Sequence, residues 1–177
     1  MNVLILGSGG REHALSHKIV QSTKCEKLFI APGNGGTAAL GDNVSLDIES
    51  AAEVAAFAKA QAIDIVVIGP EAPLVAGVHD GLKSFPELEN LVVVGPRQAA
   101  AELEGSKDFA KEFMMRHQIP TAAYQTFTKD TLADGQAFLE TLESPYVLKA
   151  DGLAAGKGVL IIEDLAEAKE ELKNMLV

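Results

Sequence analysis

Val3-Leu4-Ile5-Leu6-Gly7-Ser8-Gly9-Gly10-Arg11-Glu12-His13-Ala14 is the stretch that decides the architecture. Asn2–Leu6 is apolar without polar alternation, the pattern of a short strand covered on both faces. The glycines then make a turn that needs residues without Cβ. A helix follows over 10–21, with Ala14, Leu15, Ile19 and Val20 as its apolar stripe. Such a turn aims backbone N–H groups and a helix dipole at one point, which suits a phosphate; a tight turn that holds no ligand is the alternative. The dinucleotide fingerprint G-x-G-x-x-G is met by Gly7 and Gly9, but Glu12 stands at the third glycine. The next strand ends Ala31-Pro32-Gly33 rather than near an acid that could grip a ribose. Both departures disfavour a nicotinamide cofactor.

Outward from this unit the same grammar repeats. Strands are expected at 27–31, 63–68 and 91–94, and helices at 50–61 (with Ser50 as N-cap) and 74–85. Apolar strands alternating with helices predict a parallel sheet covered on both faces. Each strand ends in a glycine turn: Gly7–Gly10, Pro32-Gly33-Asn34-Gly35-Gly36-Thr37, Gly69-Pro70-Glu71-Ala72-Pro73 and Gly95-Pro96. In an open parallel sheet all four lie at the carboxyl edge, where ligands bind. Together they point to a small phosphorylated ligand, although Gly95-Pro96 reads as plain strand punctuation.

After residue 100 the pattern changes. Helices are expected at 98–104 and 106–117, the second capped by Ser106 with Asp108 in its first turn. A strand at 124–127, a helix at 131–142, strands at 146–150 and 159–162 and a helix from Asp164 follow. The expected domains are 1–100, then a linker with a first helix over 101–122, then 123–177. The chain stops at Met175-Leu176-Val177 inside an amphipathic helix, so the second domain is expected to be incomplete.

Composition narrows the function classes. The chain has 177 residues and is 47% hydrophobic with a formal net charge of −10. The acidic surplus is spread along the chain and no basic stripe exists, so nucleic acid and anionic membrane are poor partners. No apolar run approaches the ~20 residues of a membrane span, and the short first apolar stretch lacks a basic leader. A lone cysteine, Cys25, allows no internal disulfide and fits a reducing cytoplasm; the Asn43-Val44-Ser45 sequon is then chance.

Leu148-Lys149-Ala150-Asp151-Gly152-Leu153-Ala154-Ala155-Gly156-Lys157-Gly158-Val159 carries most of the remaining chemistry. One lysine ends a strand and a loop of small residues carries a second into the next. It is no P-loop, because Gly158 stands where Ser or Thr is required and the loop joins strand to strand. It offers a flap with backbone donors and point charges for a polyphosphate; a glycine hairpin with a solvated lysine is the alternative. His13 and His17 have a metal-compatible i, i+4 spacing, but no Glu follows His13 and no third ligand is evident, so the pair reads as helix surface. No serine or cysteine nucleophile motif is present.

These motifs, taken in order with Leu103-Glu104-Gly105-Ser106-Lys107, resemble those of the phosphoribosylamine–glycine ligase (glycinamide ribonucleotide synthetase) family from residue 1 to residue 177. The resemblance implies a Rossmann-like (pre-ATP-grasp) parallel-sheet α/β domain without a dinucleotide, followed by the incomplete start of an ATP-grasp domain. It implies that ATP phosphorylates the carboxylate of glycine and that 5-phosphoribosylamine attacks the acyl phosphate, with glycinamide ribonucleotide, ADP and phosphate as products of this step of purine biosynthesis. By that resemblance Gly9, Gly10, Arg11, Gly33, Asn34, Gly35, Gly36, Thr37 and Glu71 hold phosphoribosylamine. Lys107, Lys149, Gly152, Gly156, Lys157 and Gly158 hold ATP. Magnesium or manganese is implied, with ligands expected beyond residue 177, and the family suggests a cytoplasmic monomer. No catalytic residue or metal ligand is expected within this chain, and none of the ligase activity in the fragment alone. Another ATP-grasp carboxylate–amine ligase or a non-catalytic phosphate-binding module are the competing readings.

Overall fold

The structure, a computed structural model, describes residues 1–154 and 156–177. The chain forms two compact units, residues 1–105 and residues 106–177.

In the first unit, five strands build one parallel sheet: β1 (Asn2–Gly7), β2 (Lys27–Pro32), β3 (Asp42–Asn43), β4 (Ile65–Ile68) and β5 (Val92–Val94). Their order is β3-β2-β1-β4-β5. Register pairs Gly7 with Pro32 and Leu6 with Ile68, so the turns that end β1, β2 and β4 meet at one edge. The chain winds one way from β1 to β2 and the other way to β4. The β1/β4 junction is therefore the topological switch point, the usual ligand crevice of such sheets. Alternation along β1 sends Leu4 and Leu6 into one core and Val3 and Ile5 into another. Burying a side chain of this size stabilises the fold by about 1.5–3 kcal/mol.

The main core lies between the sheet and helices α2 (Ala51–Ala60), α3 (Glu71–Val75), α4 (Val78–Lys83) and α5 (Gln98–Gly105). Ser50 caps α2 by accepting the Glu53 N–H at 3.3 Å. The helix expected over 74–85 is instead two helices. Gly77 breaks it with φ +83, and its carbonyl accepts the Gly81 N–H at 2.9 Å. Helix α5 packs with the first unit through Ala101, which is buried in the main core.

The opposite face of the sheet corrects one expectation. Helix α1 (Gly10–Ile19) lies there, but Ala14, Leu15 and Val20 are exposed while Glu12 and Ser16 are buried. Ser16 satisfies its hydroxyl by donating to the Glu12 carbonyl at 2.8 Å, which makes a polar residue admissible on the inner face. The second face is covered as expected over β1 and β2, where α1 lies on Val3, Ile5, Leu28 and Ile30, but edge strand β5 leaves Val92 and Val94 each 49% exposed. The two-residue β3 was not expected, since Asp42 and Asn43 carry no strand pattern; pairing with Phe29 and Ile30 makes it.

In the second unit, helix α6 (Lys107–Arg116), helix α7 (Leu132–Leu139), strands β6 (Tyr146–Lys149) and β7 (Val159–Ile162) and helix α8 (Leu165–Leu176) follow in order. Strands β6 and β7 form an antiparallel pair, and Leu139, Tyr146, Leu148, Ile162, Ala168 and Leu172 make the core beneath it. Covering one face by helices gives stability that a lone two-stranded hairpin lacks. The strand expected at 124–127 does not form. That segment has no partner strand, and its neighbourhood is tied to α6 by Thr126–Asp108 and Lys111–Thr121 hydrogen bonds. No helix among the described residues is long and apolar enough to cross a membrane.

Candidate functional site

At the switch point β1 ends on Gly7 and Gly69 follows β4, and the Glu12 side chain fills the space between them. A Cβ on Gly7 would lie 2.6 Å from Glu12 Cγ, and one on Gly69 would lie 2.2 Å from Glu12 Oε1. Glu12 is 2% exposed. Its Oε2 accepts the Gly9 N–H at 2.7 Å and its Oε1 accepts the Arg11 Nε–H at 2.9 Å. Burial pushes this carboxyl upward, but the hydrogen bonds from Arg11 and Gly9 outweigh it and hold Glu12 below the usual carboxylate range. The same hydrogen bond raises the Arg11 guanidinium further above its ordinary value. Arg11 Nη2 reaches to 3.9 Å from Glu71 Oε2, at the first residue of α3.

The Gly33–Thr37 loop joins this cradle in a way that differs from the expected phosphate grip. Most of its donors are spent inside the protein. The Gly33 N–H bonds the Gly7 carbonyl at 3.2 Å, and the Asn34 N–H bonds Thr37 Oγ1 at 2.7 Å. The Gly36 and Thr37 N–H groups both bond Asn34 Oδ1, at 2.7 and 3.1 Å. Asn34 Nδ2 donates to the Ser8 carbonyl at 2.8 Å, which ties the β2 turn to the β1 turn. Thr37 is wholly buried, and its hydroxyl is engaged with the Asn34 carbonyl and Asn43 Oδ1. Asn34 and Thr37 therefore shape the loop, and only Gly35 offers an N–H with no acceptor among the described residues. The first-turn N–H groups of α1 at Gly10 and Arg11 likewise have no acceptor within the helix. Gly10 and Gly35 stand in open space. The His13 ring lies against Gly36, where a Cβ would come within 2.9 Å of its Cε1. His13 thus borders the cradle while remaining exposed on the helix surface, as does His17.

The second unit gathers the other candidates. Ser106 caps α6 as expected, accepting the Phe109 N–H at 3.1 Å, and Asp151 reinforces it: Oδ1 accepts the Lys107 N–H at 2.6 Å and the Asp108 N–H at 3.3 Å, and Oδ2 accepts the Ser106 hydroxyl at 3.1 Å. Desolvation raises the Asp151 carboxyl, but donors from the backbone at Gly152, Lys107 and Asp108 and from Ser106 lower it below the ordinary range. Lys107 Nζ donates to the Gly152 carbonyl at 2.7 Å, so this lysine already holds the mouth of the loop. Gly152 and Gly156 have φ of +84 and +75, which only glycine adopts without strain. The Gly158 carbonyl accepts the Ala150 N–H at 2.8 Å and closes the hairpin. Lys157 is exposed, and Ala155, inside the expected flap, lies outside the described residues.

Lys149 stands on the outer face of the β6–β7 pair. Register sets Lys149 beside Val159 and Val147 beside Ile161, and these three apolar residues are exposed by 40, 48 and 70% respectively. An apolar platform with one cation at its end suits a flat aromatic ring attached to phosphates. Sequence reading missed this platform, although the alternation in Tyr146-Val147-Leu148-Lys149 was its signal. It also missed Glu12 as a structural carboxylate and Asp151 as a support for the α6 cap.

Comparison with known proteins decides the family. Residues 1–104 match the N domain of phosphoribosylglycinamide synthetase, and residues 105–177 match its ATP-grasp (A) domain. The chain belongs to the phosphoribosylglycinamide synthetase family. A phosphoribosylamine–glycine ligase of Vibrio parahaemolyticus is 51% identical over 99% of this chain and 40% of its own length. That of Pseudomonas aeruginosa is 49% identical with the same coverage. The chain thus spans about 40% of the curated relatives it matches. Among solved structures, phosphoribosylamine–glycine ligase from Thermotoga maritima aligns with a TM-score of 0.71 at 34% identity, over 97% of this chain and 38% of that one. The biotin carboxylase domain of a Hydrogenobacter thermophilus 2-oxoglutarate carboxylase, solved with MgADP, ADP and bicarbonate, aligns with a TM-score of 0.70 at 16% identity, over 98% of this chain and 40% of that domain. This last likeness concerns the fold alone. In phosphoribosylglycinamide synthetase terms, the switch-point cradle is in the N domain and the lysine-bearing hairpin is in the ATP-grasp domain.

Proposed function

We propose that the chain is the N-terminal part of an ATP-dependent ligase that joins glycine to 5-phosphoribosylamine. In this reaction the γ-phosphoryl group passes from ATP to a glycine carboxylate oxygen and ADP leaves. The amine of phosphoribosylamine then attacks the acyl carbon and loses a proton, and phosphate departs. Glycinamide ribonucleotide is the product.

The observation that carries this reading is the cradle that joins the turns after β1, β2 and β4 through Asn34–Ser8 and Arg11–Glu71, in a chain matched end to end by the two family domains. The N–H groups of Gly10 and Arg11, with that of Gly35, suit the 5-phosphate. The exposed Glu71 carboxylate suits ribose hydroxyl donors. Asn34, Thr37, Gly33 and Gly36 serve by fixing the loop shape. On the second unit, Val147, Val159 and Ile161 form the adenine platform, and Lys149, Lys107 and Lys157 with the glycines 152, 156 and 158 serve the phosphates. There they offset charge that builds during phosphoryl transfer. Among the described residues no three His, Cys, Asp or Glu side chains gather as a metal site would need.

Calorimetry of the 177-residue chain tests this reading. Glycinamide ribonucleotide should bind whether or not ATP is present, and Ile161→Asp should weaken ATP about tenfold while leaving the ribonucleotide untouched, because a buried charge beside a ring and phosphates costs more than ~1.4 kcal/mol. No heat with glycinamide ribonucleotide refutes the cradle assignment. An unchanged ATP affinity in Ile161→Asp refutes the platform.

A further inference from the structure

We infer that Glu12 is a positioning residue for the phosphoribosyl ligand: its buried carboxylate acts through Arg11, which it aims across the switch point toward Glu71. The inference rests on the cradle assignment above and goes beyond it, because it gives a role to a side chain that contacts no part of the open crevice.

Three observations carry it. First, Glu12 is one of three buried polar residues among the described residues, 2% exposed, and it sits beside the ends of the two central strands. The glycines at 7, 9 and 69 all leave it room: a Cβ at any of them would come within 3 Å of its carboxylate arm. Second, both of its oxygens are directed. Oε2 takes the Gly9 N–H and so locks the turn before α1, while Oε1 takes Arg11 Nε. A guanidinium held at Nε keeps its Nη groups in one plane and one direction, and Nη2 is the atom that approaches Glu71. Third, Arg11 is otherwise free to wander, being 59% exposed. An exposed arginine has much rotamer freedom to lose on binding, and an anchor that removes this loss beforehand tightens binding without a new contact. The carboxylate also stands where the dinucleotide fingerprint has the glycine that lets helix and strand pack closely.

The decisive experiment compares Glu12→Gln, Arg11→Ala and the double variant. Glutamine keeps the size and the Gly9 contact but loses the charge that grips Arg11. Affinity of the chain for glycinamide ribonucleotide should fall about tenfold in each single variant, and the double variant should match Arg11→Ala within about twofold. ATP affinity should not move. If Glu12→Gln weakens binding by the same factor with and without Arg11, or leaves it unchanged, the inference is overturned. Should Glu12→Gln fail to fold, Arg11→Lys carries the test: it keeps the charge but has no Nε fork, so it should also bind about tenfold more weakly, and full binding overturns the inference. Nitrogen-15 NMR provides a readout that needs no ligand. The Arg11 Nε–H should be protected from exchange in the unmodified chain and lose that protection in Glu12→Gln, or in Arg11→Lys have no counterpart. An unprotected Nε–H in the unmodified chain refutes positioning even where binding is seen, and no heat from the unmodified chain with a protected Nε–H refutes the cradle assignment alone.

Discussion

Gly69→Ala isolates the steric logic of the switch point. Gly69 follows β4, and the added methyl would lie 2.2 Å from Glu12 Oε1 and 2.7 Å from its Cδ. A flexible side chain would ordinarily swing away, but this one is 2% exposed and held by the Gly9 N–H at 2.7 Å and the Arg11 Nε–H at 2.9 Å. Two outcomes remain. The methyl overpacks the junction, at about 1–3 kcal/mol. Or it ejects the carboxylate, and the Gly9 hydrogen bond to a charged acceptor is lost at about 1.5–3 kcal/mol. The bond to Arg11 adds little, because that arginine is largely solvated. Either path costs about 2–3 kcal/mol. For a unit of about 100 residues, at about 4–8 °C per kcal/mol, this lowers the melting temperature by about 10 °C or more. Circular dichroism melting of the chain measures it. The same substitution made in a Glu12→Ala background should cost less than about 1 kcal/mol, since the methyl then enters vacated space. A loss under about 3 °C in the parent chain, or an equal loss in both backgrounds, refutes the argument.

Two further outcomes follow from the carboxylates. Asp151→Ala removes the carboxylate that accepts the Lys107 and Asp108 N–H groups while Ser106 stays as the N-cap, and should destabilise that helix start by about 1 kcal/mol; amide exchange at Lys107 and Asp108 should quicken, and unchanged protection there would contradict this role. Glu12 and Asp151 both sit below their ordinary range in the folded chain, so the unfolded chain binds more protons at mildly acidic pH and stability rises with pH there. Their contribution is complete above the unfolded values of about 4.3 and 3.9 and is lost as pH falls through the lower folded values. Urea midpoints across that range should drop steeply in the parent chain and less steeply in Glu12→Gln, and identical slopes would exclude Glu12 as a source.

The alternation of strands and helices, the parallel sheet and the glycine turns at one sheet edge were legible in the sequence, because hydrophobic period and turn chemistry are local properties. The loop from Lys149 to Val159 was legible for the same reason: small residues flanked by apolar runs can only link two strands. Which face of α1 turns inward was not. The apolar stripe of Ala14, Leu15 and Val20 faces solvent, and the buried Glu12 and Ser16 are satisfied by partners that the fold supplies. Glu12 read as a defect in a dinucleotide fingerprint, yet it is the side chain that Gly7 and Gly69, distant in sequence, close around. Asn34 and Thr37 read as ligand groups, but their hydrogen-bonding capacity is consumed by Ser8, Asn43 and their own loop. Asp151 reinforces the helix cap only because the hairpin returns to residues 44 positions earlier. Sequence thus determined the elements and the edge at which they could bind a ligand. Tertiary structure alone decided which polar groups there are already paired and which remain for a ligand, because pairing depends on neighbours that only folding brings together.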